Sequence, residues 1–421
     1  MIKLVEVLHY RCLNYISQEL APFQILVGPN ASGKSTFLDV ISFLGRVVSD
    51  GVDTAVKYHT ENFEDIVFGR KGRSFELAIE ARIPDERRKL LTKFQFDAIR
   101  YEVRIGLDQN DVVSIMDERA LLKIGKKKLI VPRTLFPMDP PLAQTILQGK
   151  ISKSGKGGRT VLSKNWEGND NFYSEVLEES GKGWFPSIRL GPKKSALGNL
   201  PEDETKFPVS TWLKQFLTQG VQVFMLNSLL IRKASPPGQI RGFKPDGSNL
   251  PWVIADLKKK APEQFSAWIN HIRTALPDIE DIQVIIREDD RHAYLRIVYQ
   301  GGLKVPSWMA SDGTLRLLAL TLPAYLQDFH GIYLIEEPEN GIHPGAAETV
   351  YQSLSSVYDA QILLATHSPI ILSQAKAEDV LCFKKTEQGS TDIVSGDEHP
   401  QLRDWKGQPN LSVLFASGVL G

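Results

Sequence analysis

The feature that most constrains the fold is a short glycine-rich segment near the start of the chain. Residues 28–36 read GPNASGKST and directly follow the apolar run Phe23–Val27. An apolar run, a glycine-rich loop and a helix-forming stretch are typical of a buried strand that leads into a helix through a tight loop. Glycine lets the backbone approach an anion closely, and the helix that begins near Lys34 directs its positive dipole end to the same place. The pattern predicts a phosphate-binding loop, and a glycine-rich turn that caps a core helix is the alternative.

The spacing of this loop assigns a part to each of its residues. It fits G-x-x-x-x-G-K-[ST], in which main-chain N–H groups surround phosphate, Lys34 reaches the outer phosphates and Ser35 holds Mg²⁺. The predicted nucleotide-binding residues are Gly28, Pro29, Asn30, Ala31, Ser32, Gly33, Lys34, Ser35 and Thr36.

A second apolar run ends in two acidic residues. Residues 332–335 read IYLI without polar alternation, which indicates a buried parallel strand, and Glu336 and Glu337 follow it. Ligands of open α/β sheets bind beyond the carboxyl ends of strands, which is where the loop after Val27 also lies. One carboxylate can therefore meet magnesium and the other the attacking water. A solvated strand end is the alternative, although Pro338 and the residues after it indicate a shaped loop.

One histidine belongs to the same pattern. Residues 361–365 read QILLA and predict another strand, and His367 follows it closely. If this strand lies beside the acidic one, His367 projects from the same edge of the sheet. A lone histidine is more often structural, so this interpretation depends on the pairing of the two strands.

These residues resemble the ABC-type ATPases, and within them the branch that contains RecF, the SMC proteins and the OLD ATPases. The resemblance implies an α/β fold: a P-loop ABC-type nucleotide-binding domain with an antiparallel β-layer and an inserted α+β lid region. The matching segments are 28–36 with the Walker A loop, 332–337 with Walker B, Ser311, Asp312 and Gly313 with the signature loop, 338–343 with the loop that crosses the dimer interface, and His367 with the switch histidine.

The resemblance also implies a mechanism. ATP is sandwiched in this family between the Walker loops of one subunit and the signature loop of the other, so a homodimer is implied whenever ATP is bound. Glu337 is then the general base, with His367 and Lys34 as the other catalytic residues, and Mg²⁺ is held by Ser35 and Glu336. Arg11 lies where these relatives often place a basic residue near the nucleotide, and a surface arginine is the alternative.

Two departures from the family pattern matter. Most ABC proteins have Asp at the magnesium position, where this chain has the longer Glu336. Both are hard oxygen ligands suited to magnesium. No glutamine stands out as the Q-loop residue, and Gln95, Gln144 and Gln148 are the candidates.

Composition limits the classes of protein that the chain can belong to. Its 421 residues are 42% hydrophobic, and fifty basic residues balance fifty acidic ones, so no overall field attracts nucleic acid. Two cysteines are too few for a disulfide framework or a metal site and fit a reducing cytoplasm. No run approaches the ~18 apolar residues of a membrane span, and no signal peptide precedes the first strand. The prediction is a cytoplasmic protein without membrane contact.

The spacing of the motifs predicts three regions, because the Walker A and Walker B segments lie far apart in the chain and must meet in one sheet. We expect an N-terminal lobe at 1–107 with Walker A and the β-layer, an inserted lid or partner-binding region at 108–305, and a C-terminal lobe at 306–421. Strands are predicted at 74–83 and 96–107. An amphipathic helix is predicted by Phe265, Trp268, Ile269, Ile272 and Leu276.

The insert bears on possible partners. Segment 150–159 is basic and glycine-rich, and it is either a flexible solvated loop or a contact to a nucleic-acid backbone. No apolar heptad persists between 40 and 305, which excludes a long coiled-coil arm. The compact lid resembles that of short-lid predicted AAA ATPases found beside effector genes in bacterial defence loci. The stretch after His367 is too short for the Toprim nuclease domain of OLD proteins, so a nuclease would be a separate chain.

These observations predict an ATPase that dimerises on ATP and uses binding and hydrolysis as a conformational switch. DNA repair or anti-phage defence with a separate effector or nuclease subunit is the expected setting, with possible DNA contact through the insert. Two alternatives stay open: the nucleotide-binding subunit of a membrane transporter, and an ATP-binding scaffold with little turnover, which Glu336 at the metal position suggests.

Overall fold

The structure is a computed structural model that describes residues 1–91, 96–125, 133–141, 143–148, 158–176, 187–239, 242–326, 329–403 and 410–420. The strands in chain order are β1 (Ile2–Tyr10), β2 (Leu13–Glu19), β3 (Phe23–Val27), β4 (Ser74–Arg82), β5 (Ala98–Leu107), β6 (Val113–Lys123), β7 (Gly158–Asn165), β8 (Asn171–Phe172), β9 (Val221–Phe224), β10 (Ile279–Ile286), β11 (Ala293–Tyr299), β12 (Lys304–Pro306), β13 (Ile332–Glu336), β14 (Gln361–Ala365), β15 (Val380–Lys385) and β16 (Thr391–Ser395).

Helices occupy much of the remaining described chain. They are α1 (Lys34–Asp50), α2 (Val52–Lys57), α3 (Asp85–Arg88), α4 (Pro208–Gln219), α5 (Ser228–Ile231), α6 (Leu250–Lys260), α7 (Pro262–Ala275), α8 (Asp312–Thr321), α9 (Pro344–Ser355), α10 (Pro369–Gln374), α11 (Pro400–Arg403) and α12 (Leu411–Ala416). Within the ranges that the structure describes, no helix is both long enough and apolar enough to cross a bilayer.

Contacts along the chain define two compact units. The first unit contains the described residues of 1–21, 28–221 and 382–403. The second unit contains those of 22–27, 222–381 and the C-terminal tail. The predicted division into an N-terminal lobe (1–107), an insert (108–305) and a C-terminal lobe (306–421) stays a prediction.

The first unit contains an antiparallel sheet in the order β2-β1-β4-β5-β6-β7-β8. Its strands β4 and β5 are the two predicted from the sequence at 74–83 and 96–107. The predicted antiparallel β-layer is therefore confirmed. Helix α1 belongs to the same unit, and its apolar face is buried at Phe37, Val40, Ile41 and Leu44.

A segment of the predicted insert is held on this sheet by main-chain hydrogen bonds. The Ile146 N–H donates to Glu76 at 2.7 Å, and the Gln148 N–H donates to Glu102 at 2.9 Å. The guanidinium of Arg100, which is 1% exposed, donates to the Ile146 carbonyl at 2.9 Å. Buried charges are stable when they are paired and hydrogen-bonded, so this segment completes the polar face of the sheet.

Two sequence predictions, the Q-loop candidates and the basic segment 150–159, lie partly outside the described residues. Gln95 and residues 150–157 of the basic segment lie outside the described residues. Gly158 and Arg159 begin β7, and Arg159 is buried, with its guanidinium donating to the carbonyls of Ser174 and Glu175. These last two residues of the segment are thus structural rather than part of a solvated loop.

The second unit contains neighbouring strands in the order β3-β14-β13-β9. Strands β13 and β14 pair in parallel, with Glu336 opposite Ala365, and β14 pairs in parallel with β3. Four consecutive buried residues in β13 explain the unbroken apolar run of the sequence. A separate antiparallel sheet has the order β10-β11-β12. The predicted amphipathic helix is α7, which buries Phe265, Trp268, Ile269 and Ile272.

Candidate nucleotide-binding site

The Walker A loop has the backbone of an anion cradle. Gly28, Ala31 and Gly33 have positive φ values of 150°, 60° and 106°. A Cβ on Gly28 would lie 2.2 Å from the Phe383 carbonyl oxygen, and one on Gly33 would lie 2.5 Å from Thr391 Oγ1. A side chain at either position would therefore force neighbouring atoms to move. Turns of this kind point successive N–H groups to one side, where they can surround an anion.

Lys34 begins α1 and folds back over the loop. Its ammonium donates to the carbonyls of Gly28 at 2.8 Å and Pro29 at 3.0 Å, and the residue is 8% exposed. Ser35, the next residue, is exposed. The positive end of the α1 dipole and the Lys34 charge thus lie within one short loop, which suits a phosphate ligand.

Arg11 has an acidic partner within the protein. Its guanidinium lies 3.4 Å from a carboxylate oxygen of Asp39 on α1, and the Tyr10 hydroxyl donates to the same oxygen at 2.7 Å. The Arg11 side chain is 41% exposed. A nucleotide contact of Arg11 stays a prediction, and it would require the side chain to share or leave Asp39.

The two predicted catalytic-site acids stand at the end of β13. Glu336 is its last residue and Glu337 follows, and both are exposed. Glu337 has a φ of 45°, which is uncommon for a residue with a side chain. Its N–H donates to the Ala365 carbonyl at 2.8 Å, and its carbonyl accepts the Asn340 N–H at 3.0 Å. The Asn340 side-chain amide also donates to the Glu337 carboxylate. Strand β14 and the turn after β13 thus fix the backbone that carries this carboxylate.

A third acid links the Walker B loop to the predicted switch histidine. One carboxylate oxygen of Glu339 accepts the Thr366 hydroxyl and the His367 N–H, both at 2.8 Å. The Thr366 N–H in turn donates to the Leu26 carbonyl of β3 at 3.1 Å. Sequence reasoning missed Glu339, although a third acid in the EEPENG segment was a visible signal.

His367 lies at the carboxyl end of β14, as the sequence predicted for a strand beside the acidic one. The residue is half-buried, and the centre of its ring is 6.1 Å from that of Phe415. The following residue, Ser368, caps α10 by accepting the Ile371 N–H at 3.4 Å. The strand pairing on which the interpretation of His367 depended is therefore present. Its role as the switch histidine stays a prediction.

The signature segment begins helix α8. Ser311 is its N-cap, and the Ser311 hydroxyl accepts the Thr314 N–H at 3.1 Å. Asp312 pairs with Arg232 at 2.7 Å, and Arg232 also donates to the Ala310 carbonyl. Arg232 was missed by sequence reasoning because no local pattern identifies it. A Cβ on Gly313 would lie 2.9 Å from the Gly341 carbonyl oxygen, so this glycine allows close contact with the loop after β13.

The structure brings some predicted residues together and assigns others to separate units. Strands β3, β14 and β13 are neighbours in the second unit, and their carboxyl ends carry Val27, His367 and Glu337. Gly28 is joined directly to Val27, so the Walker A loop starts from this row of strand ends. The loop itself belongs to the first unit, and the signature segment belongs to the second.

The predicted magnesium ligands fit that ion chemically. In the described part of the chain, no group of three or more His, Cys, Asp or Glu residues could hold a metal by itself. Magnesium bound with a nucleotide needs only one or two protein oxygens, because phosphates and water supply the others. The Ser35 hydroxyl and the Glu336 carboxylate are both on exposed residues and are hard oxygen donors.

Comparison with solved structures supports the fold. The chain resembles an SMC head bound to the C-winged helix domain of ScpA, with a TM-score of 0.54 and 13% identity over 94% of this chain and 97% of that one. It also resembles an SMC head with an extended coiled coil, bound to the C-terminal domain of ScpA derived from Pyrococcus furiosus, with a TM-score of 0.52 and 12% identity over 94% and 96% of the two chains. These likenesses concern the fold alone and confirm the predicted P-loop α/β class.

The sequence comparisons identify the family. No curated protein sequence matches the chain. One family model, described as "AAA domain, putative AbiEii toxin, Type IV TA system", matches residues 23–135 and 237–373, which together make up more than half of the chain. The first matched range contains the Walker A loop, and the second contains the signature segment, both acids and His367. The chain therefore belongs to this family of AAA-domain proteins.

Proposed function

We propose that the protein is an ATP-hydrolysing conformational switch that closes as a homodimer on ATP and parts after hydrolysis. The observation that carries the proposal is the row of parallel strands β3, β14 and β13. Their carboxyl ends lead into the Walker A loop, the His367 segment and the acid pair. Ligands of open α/β sheets bind at such an edge.

The proposed chemistry uses groups of both copies. The loop 28–36 binds the triphosphate, with Lys34 at the outer phosphates. Ser35 and Glu336 would hold magnesium, which offsets phosphate charge when it is bound. Glu337 orients and deprotonates water, and His367 offsets charge on the phosphoryl group as it transfers. Ser311, Asp312 and Gly313 of the second copy close on the γ-phosphate.

Two local features support these roles. Glu337 is held in a left-handed conformation by hydrogen bonds from both flanks, and non-glycine residues in such conformations are concentrated at functional sites. Ser311 and Asp312 are exposed at the start of α8, where its positive dipole end is available to a phosphate of another molecule.

The proposed biological setting is anti-phage defence or DNA repair in the cytoplasm, with a separate effector or nuclease subunit. The family is described as a putative toxin of a type IV TA system, which supports the defence alternative. The similar SMC heads are bound to a domain of a partner protein, which supports a partner subunit here. The predicted insert at 108–305 is the proposed place for a partner or DNA to bind. A transporter subunit and a low-turnover scaffold remain the alternatives.

Two substitutions test the proposal. Lys34→Ala removes the cation of the loop and should abolish binding of Mg-ATP. Glu337→Gln keeps the size of the side chain but removes the base, so it should retain ATP binding, lose phosphate release by about 100-fold or more, and accumulate a dimer. Phosphate release and light scattering after size exclusion, each with and without ATP, measure these effects.

The outcomes separate the alternatives. Phosphate release by the wild type as slow as that expected of Glu337→Gln would favour the scaffold. Normal hydrolysis by Glu337→Gln would show that the base is misassigned, and a Glu337→Gln protein that stays monomeric with saturating ATP would contradict the dimeric switch. Isolation of the protein in complex with a membrane protein would favour the transporter subunit.

A further inference from the structure

Strands β15 and β16 form a hairpin that is far from the Walker A loop in sequence. This hairpin is in direct contact with the loop. Thr391, the first residue of β16, is fully buried, and its hydroxyl donates to the Ser32 carbonyl at 2.9 Å. Its N–H donates to the Cys12 carbonyl at 3.1 Å. The Cys12 thiol donates to the Thr36 hydroxyl at 3.5 Å. Thr391 is thus hydrogen-bonded both to the loop and to the turn after β1.

The same hairpin fills the space beside both glycines of the loop. The nearest atom to a Cβ on Gly33 would be Thr391 Oγ1, at 2.5 Å, and the nearest to a Cβ on Gly28 would be the Phe383 carbonyl oxygen, at 2.2 Å. Phe383 lies on β15, and its ring packs edge-on against Phe37 of α1 with centroids 5.6 Å apart. The hairpin therefore limits how far the loop can move on this side.

The hydrogen bond from Thr391 has a directional consequence for the loop. The peptide between Ser32 and Gly33 is planar, and in a trans peptide the C=O and the N–H point in opposite directions. A Ser32 carbonyl held towards Thr391 therefore directs the Gly33 N–H away from the hairpin. Phosphate-binding loops work by pointing such N–H groups at the anion.

The other side of β16 is fixed by the insert. Asp392 points to the face opposite Thr391, because neighbouring residues of a strand alternate. Its two carboxylate oxygens accept hydrogen bonds from Arg133 at 2.9 Å each, and one of them also accepts the Met138 N–H at 2.8 Å. Asp392 is 5% exposed, so these contacts act without competition from bulk water. The start of β16 is thereby held between the insert segment and the Walker A loop.

We propose that Thr391 is a positioning residue that sets the direction of the Ser32–Gly33 peptide and so preorganises the Walker A loop for the triphosphate. This inference rests on the proposed function, in which that loop binds ATP. The nucleotide affinity of the loop would then depend in part on Thr391, which lies 359 residues after Ser32 in the same chain.

Substitution of Thr391 by Val and by Ser tests the inference. Thr391→Val has nearly the same shape but no hydroxyl, so the Ser32 carbonyl loses its donor and the peptide is free to turn. The dissociation constant for Mg-ATP should rise about tenfold, the size expected for one hydrogen bond that orders a site. Thr391→Ser keeps the hydroxyl and should stay within about twofold of the wild type. Calorimetric titration of the full chain with Mg-ATP measures both.

A matched control lies in the same hairpin. Thr386 is also buried, and its hydroxyl bonds to the Ser390 hydroxyl at 2.9 Å rather than to the loop. Thr386→Val therefore removes a comparable hydrogen bond from the hairpin without touching Ser32. If Thr391 only supports the fold, the two Val variants should lower the melting temperature alike and leave ATP affinity equal. If it positions the loop, only Thr391→Val weakens ATP binding, and KM rises more than kcat falls.

The outcomes for this inference and for the proposed function are distinct. A wild-type protein that does not bind Mg-ATP contradicts the proposed function itself. A wild type that binds, together with a folded Thr391→Val protein of unchanged affinity, overturns the positioning role alone. Weakened binding by Thr391→Ser equal to that of Thr391→Val would also overturn it, because the hydroxyl would then not be the cause.

Discussion

The Walker A loop and the signature segment differ in how far their own chain encloses them. In the Walker A loop Ser32 is 2% exposed and Lys34 8% exposed, and protein atoms occupy the space beside both glycines. In the signature segment Ser311 and Asp312 are exposed, and the Asp312 side chain is 57% exposed despite its ion pair with Arg232. The first region is enclosed by contacts within the molecule. In the second region the N-terminus of α8 is exposed on the surface of the chain.

The largest expected effect tests the enclosure of the Walker A loop. Gly33→Ala places a methyl group 2.5 Å from Thr391 Oγ1, so the loop or Thr391 must shift, and the φ of 106° strains any residue with a side chain. We expect Mg-ATP affinity to fall by at least about 100-fold, because the N–H groups of the displaced loop no longer converge on the phosphates. Calorimetric titration measures the affinity, and circular dichroism checks that the protein is folded.

A second glycine separates enclosure from backbone strain. Gly389, in the turn of the same hairpin, also has a positive φ, of 81°, but nothing lies within 4 Å of the position of its Cβ. Gly389→Ala therefore carries the conformational cost without the clash. It should lower the melting temperature slightly and leave ATP affinity within about twofold of the wild type. Equal loss of affinity in the two variants would mean that enclosure does not explain the loop.

Elements that depend on a local pattern of apolar residues could be predicted from the sequence. Four consecutive apolar residues before Glu336 predicted a buried parallel strand, and the structure pairs that strand with β14 as expected. The periodicity of Phe265 and Trp268 likewise predicted α7. These patterns succeed because burial on one face or on both faces of an element leaves a regular spacing of apolar residues.

Contacts between distant segments could not be predicted in this way. The Thr391 hydroxyl meets the Ser32 carbonyl across a separation of 359 residues, and Arg232 reaches Asp312 from another element. A single polar residue has no periodicity, so its partner emerges only from the packed structure. Arg11 shows the same limit, since the family resemblance implied a nucleotide contact but no local pattern indicated its ion pair with Asp39.

The next largest effect tests whether the signature segment acts on a second molecule. Ser311 is an N-cap, and Asp and Asn are both good N-cap residues, so Ser311→Asp and Ser311→Asn should keep α8 intact. Only Ser311→Asp adds a negative charge, which would repel the γ-phosphate of ATP held by the other copy. We expect Ser311→Asp to lose about 100-fold in phosphate release while its ATP affinity stays near that of the wild type.

The pair of variants is interpretable because it differs in charge alone. Ser311→Asn should retain most of the activity. Activity of both variants near that of the wild type would show that no phosphate approaches Ser311 during turnover. Loss of ATP affinity in Ser311→Asp would contradict the comparison in another way, because it would make the signature segment part of the primary binding loop.

The smallest expected effect concerns the charges beside α1, the helix that begins at the end of the Walker A loop. Asp39 on α1 faces Arg11, Arg46 and His59. Burial lowers the pKa of His59 from its usual 6.5, Asp39 opposes this shift, and the two arginines add to it. The unfolded chain therefore takes up a proton at a higher pH than the folded protein does.

This difference fixes the sign of the pH dependence. As the pH falls below about 6.5, the unfolded state binds more protons than the folded state, so His59 makes the protein less stable with increasing acidity. His59→Gln cannot take up that proton and should lose less in melting temperature than the wild type between pH 7.5 and pH 5.5. Substitution of the exposed His330 by Gln is the control and should follow the wild type. A steeper loss in His59→Gln would mean that the folded protein stabilises the protonated ring, with Asp39 outweighing burial.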